Sequence, residues 1–243
     1  LLHPDPALRP TAAQVLESSR ELLQALKAPG VTQQLNAVRD KGDCHLKWFV
    51  CNVAFNQHAA MACHKLPGLE ADQAGVARYT EMILGAPDVS AMDGPTRDAL
   101  VALHRDQWAV LLRAGFGCEP GPLVDLPRAR ELAIALVDAI QAPQFISEVA
   151  ALFKNELMGK LSAWERHQAV QRMMCSRQKE ALAPLGYEAT DAGYARAQAA
   201  LQEHRLDAVI QGSVSHATQW LYHKAGIDMG ELMSSVAKPD GQG

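Results

Sequence analysis

The sequence has little of what marks several common classes of protein. Aromatic residues make up only 5% of the chain, and no apolar run approaches the roughly 20 residues that a membrane-spanning helix requires. Basic residues are not in excess, because 23 Lys and Arg stand against 27 Asp and Glu, for a formal charge of −4. A mildly acidic chain has no general attraction to phosphate backbones. We therefore expect neither membrane insertion nor nucleic-acid binding.

Cysteine is also scarce. Five cysteines in 243 residues are too few and too irregularly spaced for a disulfide framework, and their odd number favours free thiols. The first ten residues carry prolines and charges where a secretory signal has an apolar segment. A cytoplasmic location is therefore expected. The chain opens with Leu1 rather than Met, so we expect more of the protein upstream.

The pattern of β-strands is missing as well. No stretch sustains an alternation of apolar and polar residues with Val, Ile or Thr, whereas Ala, Leu, Gln, Glu and Arg, which favour helices, are frequent. The apolar fraction of 48% and the charged fraction of 21% are those of a globular chain with a core. The sequence therefore predicts an all-α fold.

Caps and breakers predict two helical-bundle halves of about five helices each. Thr11 and Gln14 have the form of a capping box before a helix that buries Val15, Leu22, Leu23 and Leu26. Helices are then expected at about 31–38, 44–66 and 70–85, followed by a loop at 86–95 and a helix from a Thr96 cap to Ala114-Gly115. A linker rich in Pro and Gly covers 117–127. The second series is expected to have a helix at 127–142, one that begins at about 144, a long one that ends at Leu182, one at 190–204, and one at 207–225 with Gly226 as its C-cap.

An internal repeat is the strongest long-range signal. Residues 68–78 and 186–196 are identical at seven of eleven positions. Other landmarks keep the same order, namely Trp48 with Trp164, and His104-x-x-Gln107-Trp108 with His216-x-x-Gln219-Trp220. We therefore predict that residues 128–240 repeat residues 18–116, with the matched tryptophans inside each core. Gly75 and Gly193 are expected to permit close helix approach or to mark a helix start.

Residues 1–16 resemble the closing segment of a protein kinase domain. Asp5-Pro6 and Arg9-Pro10-Thr11-Ala12 match that segment's Asp-Pro, two variable residues and Arg-Pro-Thr/Ser-Ala. The resemblance implies that residues 1–17 end a kinase domain and that Arg9 is structural there, pairing with the Glu that ends the activation segment. The triplet His104-Arg105-Asp106 imitates the kinase catalytic loop, but the required Asn, the Gly-rich loop and Asp-Phe-Gly are missing. Phosphotransfer is therefore not expected of this chain.

A second resemblance covers about residues 19–112. It rests on Gln24-Ala25, Ala28-Pro29, Ala37-Val38-Arg39-Asp40, Phe49-Val50, Val53-Ala54, Gln57, Gly68-Leu69 and Gly75 to Tyr79. These residues are similar to the eukaryotic family called protein C-ten, a short all-helical domain without known catalysis. The chain departs from it by a shortened segment between Asp40 and Trp48 and by Pro67 where an aromatic residue is usual. The resemblance implies a helical interaction module without active-site residues, with residues 128–225 as a divergent second copy.

Candidate metal ligands lack the required spacing. Cys44-His45 and Cys63-His64 have the residue types of zinc ligands, but structural zinc sites space their paired ligands two to four residues apart. Cys44, Cys51 and His58 instead share a helical stripe with Trp48 and Phe55, so we expect the thiols to pack as small apolar groups. Haem ligation by His58 or His64 with Met61 lacks a Cys-x-x-Cys-His motif. No metal site and no cofactor are predicted.

No other chemistry stands out. Residues for nucleophilic catalysis are present, as in any chain, and no particular set is favoured. Met173-Met174-Cys175 is expected in the core, and a solvated face is expected for Lys154, Lys160, Arg166, Arg172, Arg177 and Lys179.

The prediction is therefore a non-catalytic tandem helical module that binds protein partners, adjoining a protein kinase domain in a longer polypeptide, with no catalytic, cofactor or metal residues. The matched landmarks are mostly packing residues, which favours this hypothesis. The alternative is a helical enzyme or a cofactor-binding bundle with its site between the halves.

Overall fold

The computed structural model describes residues 9–85, 92–154 and 162–225, without the side chains of 163–164 and 213–215. This part of the chain contains ten α-helices and no strand, which confirms the all-α prediction. The helices are α1 (Ala12–Leu26), α2 (Pro29–Lys41), α3 (Cys44–Cys63), α4 (Gln73–Leu84), α5 (Gly94–Phe116), α6 (Leu126–Gln141), α7 (Pro143–Lys154), α8 (Ala163–Leu182), α9 (Asp191–Glu203) and α10 (Ala208–Ala225). A short 3-10 turn over Ala183–Leu185 follows α8.

Side-chain caps fix where several helices begin. The predicted capping box opens α1, because the Gln14 amide donates to Thr11 Oγ1 at 3.2 Å and the Thr11 amide donates to Gln14 Oε1 at 2.8 Å. The predicted Thr96 cap of α5 is wrong. Asp93 caps this helix instead, accepting a hydrogen bond from the Thr96 amide at 2.8 Å, so that Thr96 lies in the first turn.

Glycines in the left-handed conformation end two helices. Gly85 has φ 74° after α4, as predicted. Gly117 has φ 66° after α5, so this helix ends at Phe116 and not at the predicted Ala114-Gly115. Helix α4 begins at Gln73, after its Asp72 cap, a few residues later than predicted. The predicted Gly226 cap and residues 86–91 of the predicted loop lie outside the described residues.

The chain divides into two compact units. The first comprises Leu1–Leu123 and Gln198–Leu206, and the second comprises Val124–Ala197 and Asp207–Gly243. In the first unit, α1 packs against α3 and α5, α2 packs against α3 and α5, and α4 packs against the same two helices. Val15, near the start of α1, is fully buried in this core. Helix α1 continues without a break across residues 17 and 18, the predicted boundary between the end of a kinase domain and the first repeat. Other members of this core are Leu22, Leu26, Leu35, Cys51, Phe55, Tyr79, Ile83, Leu100 and Leu111.

The second unit has its own core. Helix α6 packs against α8 and α10, and α7 packs against all three. The shared core contains Ile140, Phe145, Val149, Val170, Met174, Leu221 and Tyr222. Among the described residues, no single helix has the length and apolarity to cross a membrane, although α6 and α7, bent by 52° relative to each other, meet that test as a pair.

The local backbone agrees at one pair of predicted repeat landmarks. Gly68 and Gly186 both have positive φ angles, 71° and 84°. The amide of Gly75 donates to Asp72 Oδ1 at 2.7 Å, and the amide of Gly193 donates to Thr190 Oγ1 at 3.1 Å. Both glycines therefore occupy the third residue of a helix, and each marks a helix start.

A second pair of landmarks does not match in burial. His104 and Gln107 are buried in α5, whereas His216 and Gln219 are exposed on α10. The same letters therefore face different sides of their helices. Of the matched tryptophans, Trp108 is buried, Trp48 and Trp220 are partly buried, and the side chain of Trp164 lies outside the described residues. The duplication stays a prediction.

Candidate functional site

The cysteine stripe of α3 faces the core of the first unit, as expected. Cys44, Cys51 and Phe55 are at most 5% exposed. Trp48 stacks on Trp108 with 5.2 Å between the ring centroids, and Phe55 also stacks on Trp108, with 5.3 Å between the centroids. The stripe therefore builds an aromatic core with thiols packed into it.

Burial suppresses the acidity of these thiols. It raises the pKa of Cys51 to about 12, with a smaller contribution from Cys118, and it raises the pKa of Cys63 to about 12. The Cys51 thiol donates to the carbonyl oxygen of Leu111 at 3.6 Å. Because a thiolate is the reactive form, protonated buried thiols are poor nucleophiles and poor metal ligands.

The residue types considered for metal binding are dispersed. His45 and His58 are half-buried and His64 is exposed, whereas Cys44 and Cys63 point into the core. Across the described parts of the chain, no three His, Cys, Asp or Glu side chains are grouped closely enough to hold a metal ion.

The kinase-like triplet His104-Arg105-Asp106 lies in the middle of α5, as expected, and its three side chains lie in different environments. His104 is 1% exposed, and its ring meets Phe55 edge-on at 5.6 Å. Arg105 donates to Glu203 at 3.0 Å and to the carbonyl oxygen of Gly121 at 2.5 Å. Asp106 is exposed. A catalytic loop would gather these groups around a phosphate, and this helix does not.

His104 is a buried base held in its neutral form. Neither ring nitrogen has a hydrogen-bond partner of normal geometry within the described structure. Burial, reinforced by the positive charge of Arg205, lowers the pKa of His104 to about 4. At neutral pH the imidazole is therefore uncharged and contributes to the core through its ring contacts.

Other buried polar groups tie helices together. The Gln107 side-chain amide donates to the carbonyl oxygen of Ser19 at 2.9 Å, which joins α5 to α1. The Ser19 hydroxyl lies 2.9 Å from the Tyr79 hydroxyl, which joins α1 to α4. These bonds satisfy the Gln107 side-chain N–H and the two hydroxyls, which would otherwise be costly to bury.

In the second unit, the basic residues expected on a solvated face are partly engaged. Arg177 pairs with Glu148 at 2.9 Å, and Lys179, with its side chain only 24% exposed, pairs with Asp191 at 3.0 Å. The guanidinium of Arg166 lies over the Phe153 ring, 5.5 Å from its centroid. These three residues are therefore half-buried rather than fully solvated. Arg172 and Lys154 are exposed, and Lys160 lies outside the described residues. Met174 and Cys175 are buried, as expected.

A cleft of about 460 Å³ opens between α3 and α4 in the first unit. This volume is within the range of small-ligand and peptide side-chain sites. The chain turns sharply between the two helices at Gly68, whose φ is 71°, and Asp72 then caps α4 at the edge of the cleft. The lining residues are Asn56, Gln57, Ala60, Ala71, Asp72, Gln73, Val76, Ala77 and Arg205. We call this site the Arg205 cleft.

Arg205 is the positive charge of this cleft. It follows α9, in the segment that belongs to the first unit. Its guanidinium makes no hydrogen bond and no ion pair with the described residues, and its burial lowers its pKa, against the opposing effect of the Glu81 charge. A half-buried guanidinium with unused donors is unfavourable unless an acceptor reaches it.

The outer face of α3 leads into the cleft. Its residues follow one another at spacings of three and four and lie opposite the cysteine stripe. They are Leu46, Phe49, Val53, Asn56, Gln57 and Ala60. Phe49 is 45% exposed and Leu46 is 38% exposed, and the two lie next to each other on this face. We call this surface the α3 outer face.

Negative charge is missing from α3. No Asp or Glu occurs from residue 44 to residue 69, although the whole chain contains 27 acidic residues. This stretch carries Lys47 and Lys65 together with three histidines. The helix that carries the exposed apolar residues therefore has no acidic side chain of its own, in a chain of net charge −4.

Comparison with protein-family models, with curated proteins and with solved structures finds no match to this chain. The cleft was not predicted from the sequence. One signal, the gap in acidic residues between Asp43 and Glu70, points to α3. Nothing in the sequence around Arg205 links it to helices that lie more than a hundred residues earlier.

Proposed function

We propose that this chain is a non-catalytic helical module that binds a protein partner through the α3 outer face. The observation that carries the proposal is the exposure of Phe49 and Leu46 one turn apart, next to a cleft on the same helix. Large exposed apolar side chains that adjoin a polar cleft are typical of partner surfaces.

The state of the potential catalytic groups supports a non-catalytic role. Burial keeps the thiols of Cys51 and Cys63 protonated and keeps His104 neutral inside the core. A nucleophile or a general base must reach its substrate in the reactive form. These groups act in packing instead.

A tandem arrangement is part of the proposal. Within the described residues, five helices of 15, 13, 20, 12 and 23 residues precede five of 16, 12, 20, 13 and 18 residues. The matched starts of α4 and α9 at Gly75 and Gly193 also support it. We also propose the similarity to protein C-ten, which implies a small helical interaction domain.

We also propose that the module adjoins a protein kinase domain in the cytoplasm and has an adaptor or regulatory role. The support is the kinase-like pattern from Asp5 to Ala12. Reading the coding sequence upstream of Leu1 tests this neighbour. We expect Asp-Phe-Gly and Ala-Pro-Glu motifs there, and an upstream sequence without them would contradict it.

The binding surface is tested by site-specific photo-crosslinking in the cells that make the protein. A benzophenone amino acid replaces Phe49, and a control protein carries it at Gln33, an exposed position on α2. We expect discrete crosslinked proteins from position 49 that the Leu46→Asp change abolishes. Crosslinks that are absent, or that are the same from both positions, would overturn the proposal.

A further inference from the structure

We propose that the partner presents an acidic peptide segment, whose apolar side chains cover the α3 outer face and whose carboxylate enters the Arg205 cleft. This inference rests on the proposed protein-binding function and adds the chemistry of the partner. Three observations carry it.

The first observation is the unused hydrogen-bonding capacity of Arg205. A guanidinium offers five N–H donors in a planar fork that fits a carboxylate. None of them is used by the described residues, although the side chain is half-buried. A partner carboxylate would supply the missing acceptors and would restore the charge balance of the buried group.

The second observation is the polarity of the cleft wall. The side-chain amides of Asn56 and Gln57 line it on α3, and the N-terminal end of α4 lines it at Gln73. The first turn of a helix favours negative charge because its amide groups point outward. Asp72 is the one acid among the lining residues, and its carboxylate is already engaged as the cap of α4 at 2.7 Å from the Gly75 amide.

Glu81 does not remove this preference. Its charge acts on Arg205 and raises the pKa of the guanidinium, but the two side chains form no ion pair. The Arg205 guanidinium therefore keeps its donors available to a ligand.

The third observation is the continuity of the surface. From Leu46 to Ala60 the α3 outer face runs for about 21 Å at 1.5 Å per residue. Its first part is apolar and its last part lines the cleft. A segment lying along it would place apolar side chains beside Phe49 and an acidic side chain at Arg205. Along α3 itself such a segment would meet no like charge, because no acidic residue occurs from 44 to 69.

The test uses the whole chain and a display library of random peptides of about 16 residues, long enough to follow the surface. We expect the selected peptides to combine Asp or Glu with two apolar residues three or four positions apart. Their affinity, measured by fluorescence anisotropy, should fall about tenfold or more in Arg205→Gln, which removes charge-assisted hydrogen bonds. It should also weaken as salt concentration rises.

Arg20→Gln is the matched control, because it removes the same charge from an exposed position on α1. We expect its affinity to stay within about twofold of the wild type. Phe49→Asp should abolish binding. Thermal unfolding checks the fold, and Arg205→Gln should keep the wild-type melting temperature since Arg205 has no ion pair to lose.

Selected peptides without acidic residues, or peptides that bind Arg205→Gln as tightly as the wild type, would overturn the acidic segment and leave the protein-binding function standing. Enrichment of no peptide at all, or equal competition by a free small carboxylate such as acetate, would also overturn it. The crosslinking at position 49 then decides the protein-binding function by itself.

Discussion

Gly75 faces the carbonyl oxygen of Glu70 so closely that a Cβ atom at position 75 would lie 1.8 Å from that oxygen. Gly193 has the same relationship to Glu188, with a corresponding distance of 1.9 Å. In both places a helix begins two residues before the glycine, and the carbonyl fills the space of the missing side chain. Neither glycine needs a positive φ, so the requirement here is steric.

We therefore expect Gly75→Ala and Gly193→Ala each to lower the free energy of unfolding by about 1–3 kcal/mol, because backbone has to move to admit the Cβ. This result would reverse the usual preference of helices for alanine. Urea unfolding followed by circular dichroism measures the effect.

Gly30→Ala and Gly212→Ala serve as controls, since a Cβ at either position has no neighbour within 4 Å. They should be neutral or stabilising by up to about 1 kcal/mol. An alanine at 75 or 193 that behaves like these controls would show that the close contact is not a real constraint.

A second glycine contact joins two helices of the first unit. A Cβ at Gly115 on α5 would lie 2.6 Å from the sulfur of Cys51 on α3. Gly115→Ala should destabilise by about 1–3 kcal/mol and Cys51→Ala by about 1–2 kcal/mol. In the double variant the methyl group that Gly115→Ala introduces takes the space of the Cys51 sulfur. The double variant should therefore be destabilised less than the sum of the two single variants, by at least about 0.5 kcal/mol.

Cys63→Ala combined with Gly115→Ala is the control for this cycle. Cys63 is also buried, but no atom of it lies within 4 Å of the Gly115 Cβ position. These two changes should be additive. Additivity in the Cys51 pair as well would contradict a direct contact between α3 and α5 at this point.

Local sequence predicted those features that neighbouring residues decide. Thr11 and Gln14 contain the whole capping box of α1, and Gly85 alone sets the end of α4. The start of α5 was misjudged because Asp93 and Thr96 both have capping side chains, and the carboxylate of Asp93, three residues earlier, takes the Thr96 amide. Competing caps within one turn are hard to rank from sequence.

Features that depend on distant parts of the chain could not be predicted. The Arg205 cleft joins α3 and α4 to a residue far along the chain, and His104 became a buried base because α5 turns it toward Phe55. The repeat alignment paired His104 with His216 by identity, yet the two positions differ in helical phase and therefore in burial. Identical residues in two helices do not show which face of each helix packs against its neighbours.

Removal of metal ions should leave the protein folded. All five thiols are buried, and the pKa values of Cys51 and Cys63 are raised, so these thiols are poorly suited as metal ligands. A structural zinc site would supply much of a small domain's folding free energy. We expect the melting temperature to be the same with and without EDTA. We also expect a thiol reagent such as Ellman's reagent to label the cysteines slowly until urea is added. Stoichiometric zinc in the purified protein, with unfolding on chelation, would reverse this interpretation and direct attention to His45, His58 and His64.

The last prediction concerns acid. The pKa of His104 is about 4 in the folded protein against an ordinary value of 6.5. Between pH 6.5 and pH 4, His104 is therefore protonated in the unfolded chain and neutral in the folded protein. The free energy of unfolding is therefore not reduced by His104 above pH 6.5, and it decreases as the pH falls toward 4. The loss amounts to up to about 3 kcal/mol.

His104→Leu should flatten the stability curve over this pH window, because leucine cannot take up a proton in the unfolded state. Urea unfolding at several pH values between 7 and 4 gives the difference between wild type and variant, which cancels the contribution of the acidic residues. Parallel curves for the wild type and His104→Leu would mean that the imidazole reaches water in the folded protein, and the burial of His104 against Phe55 would have to be abandoned.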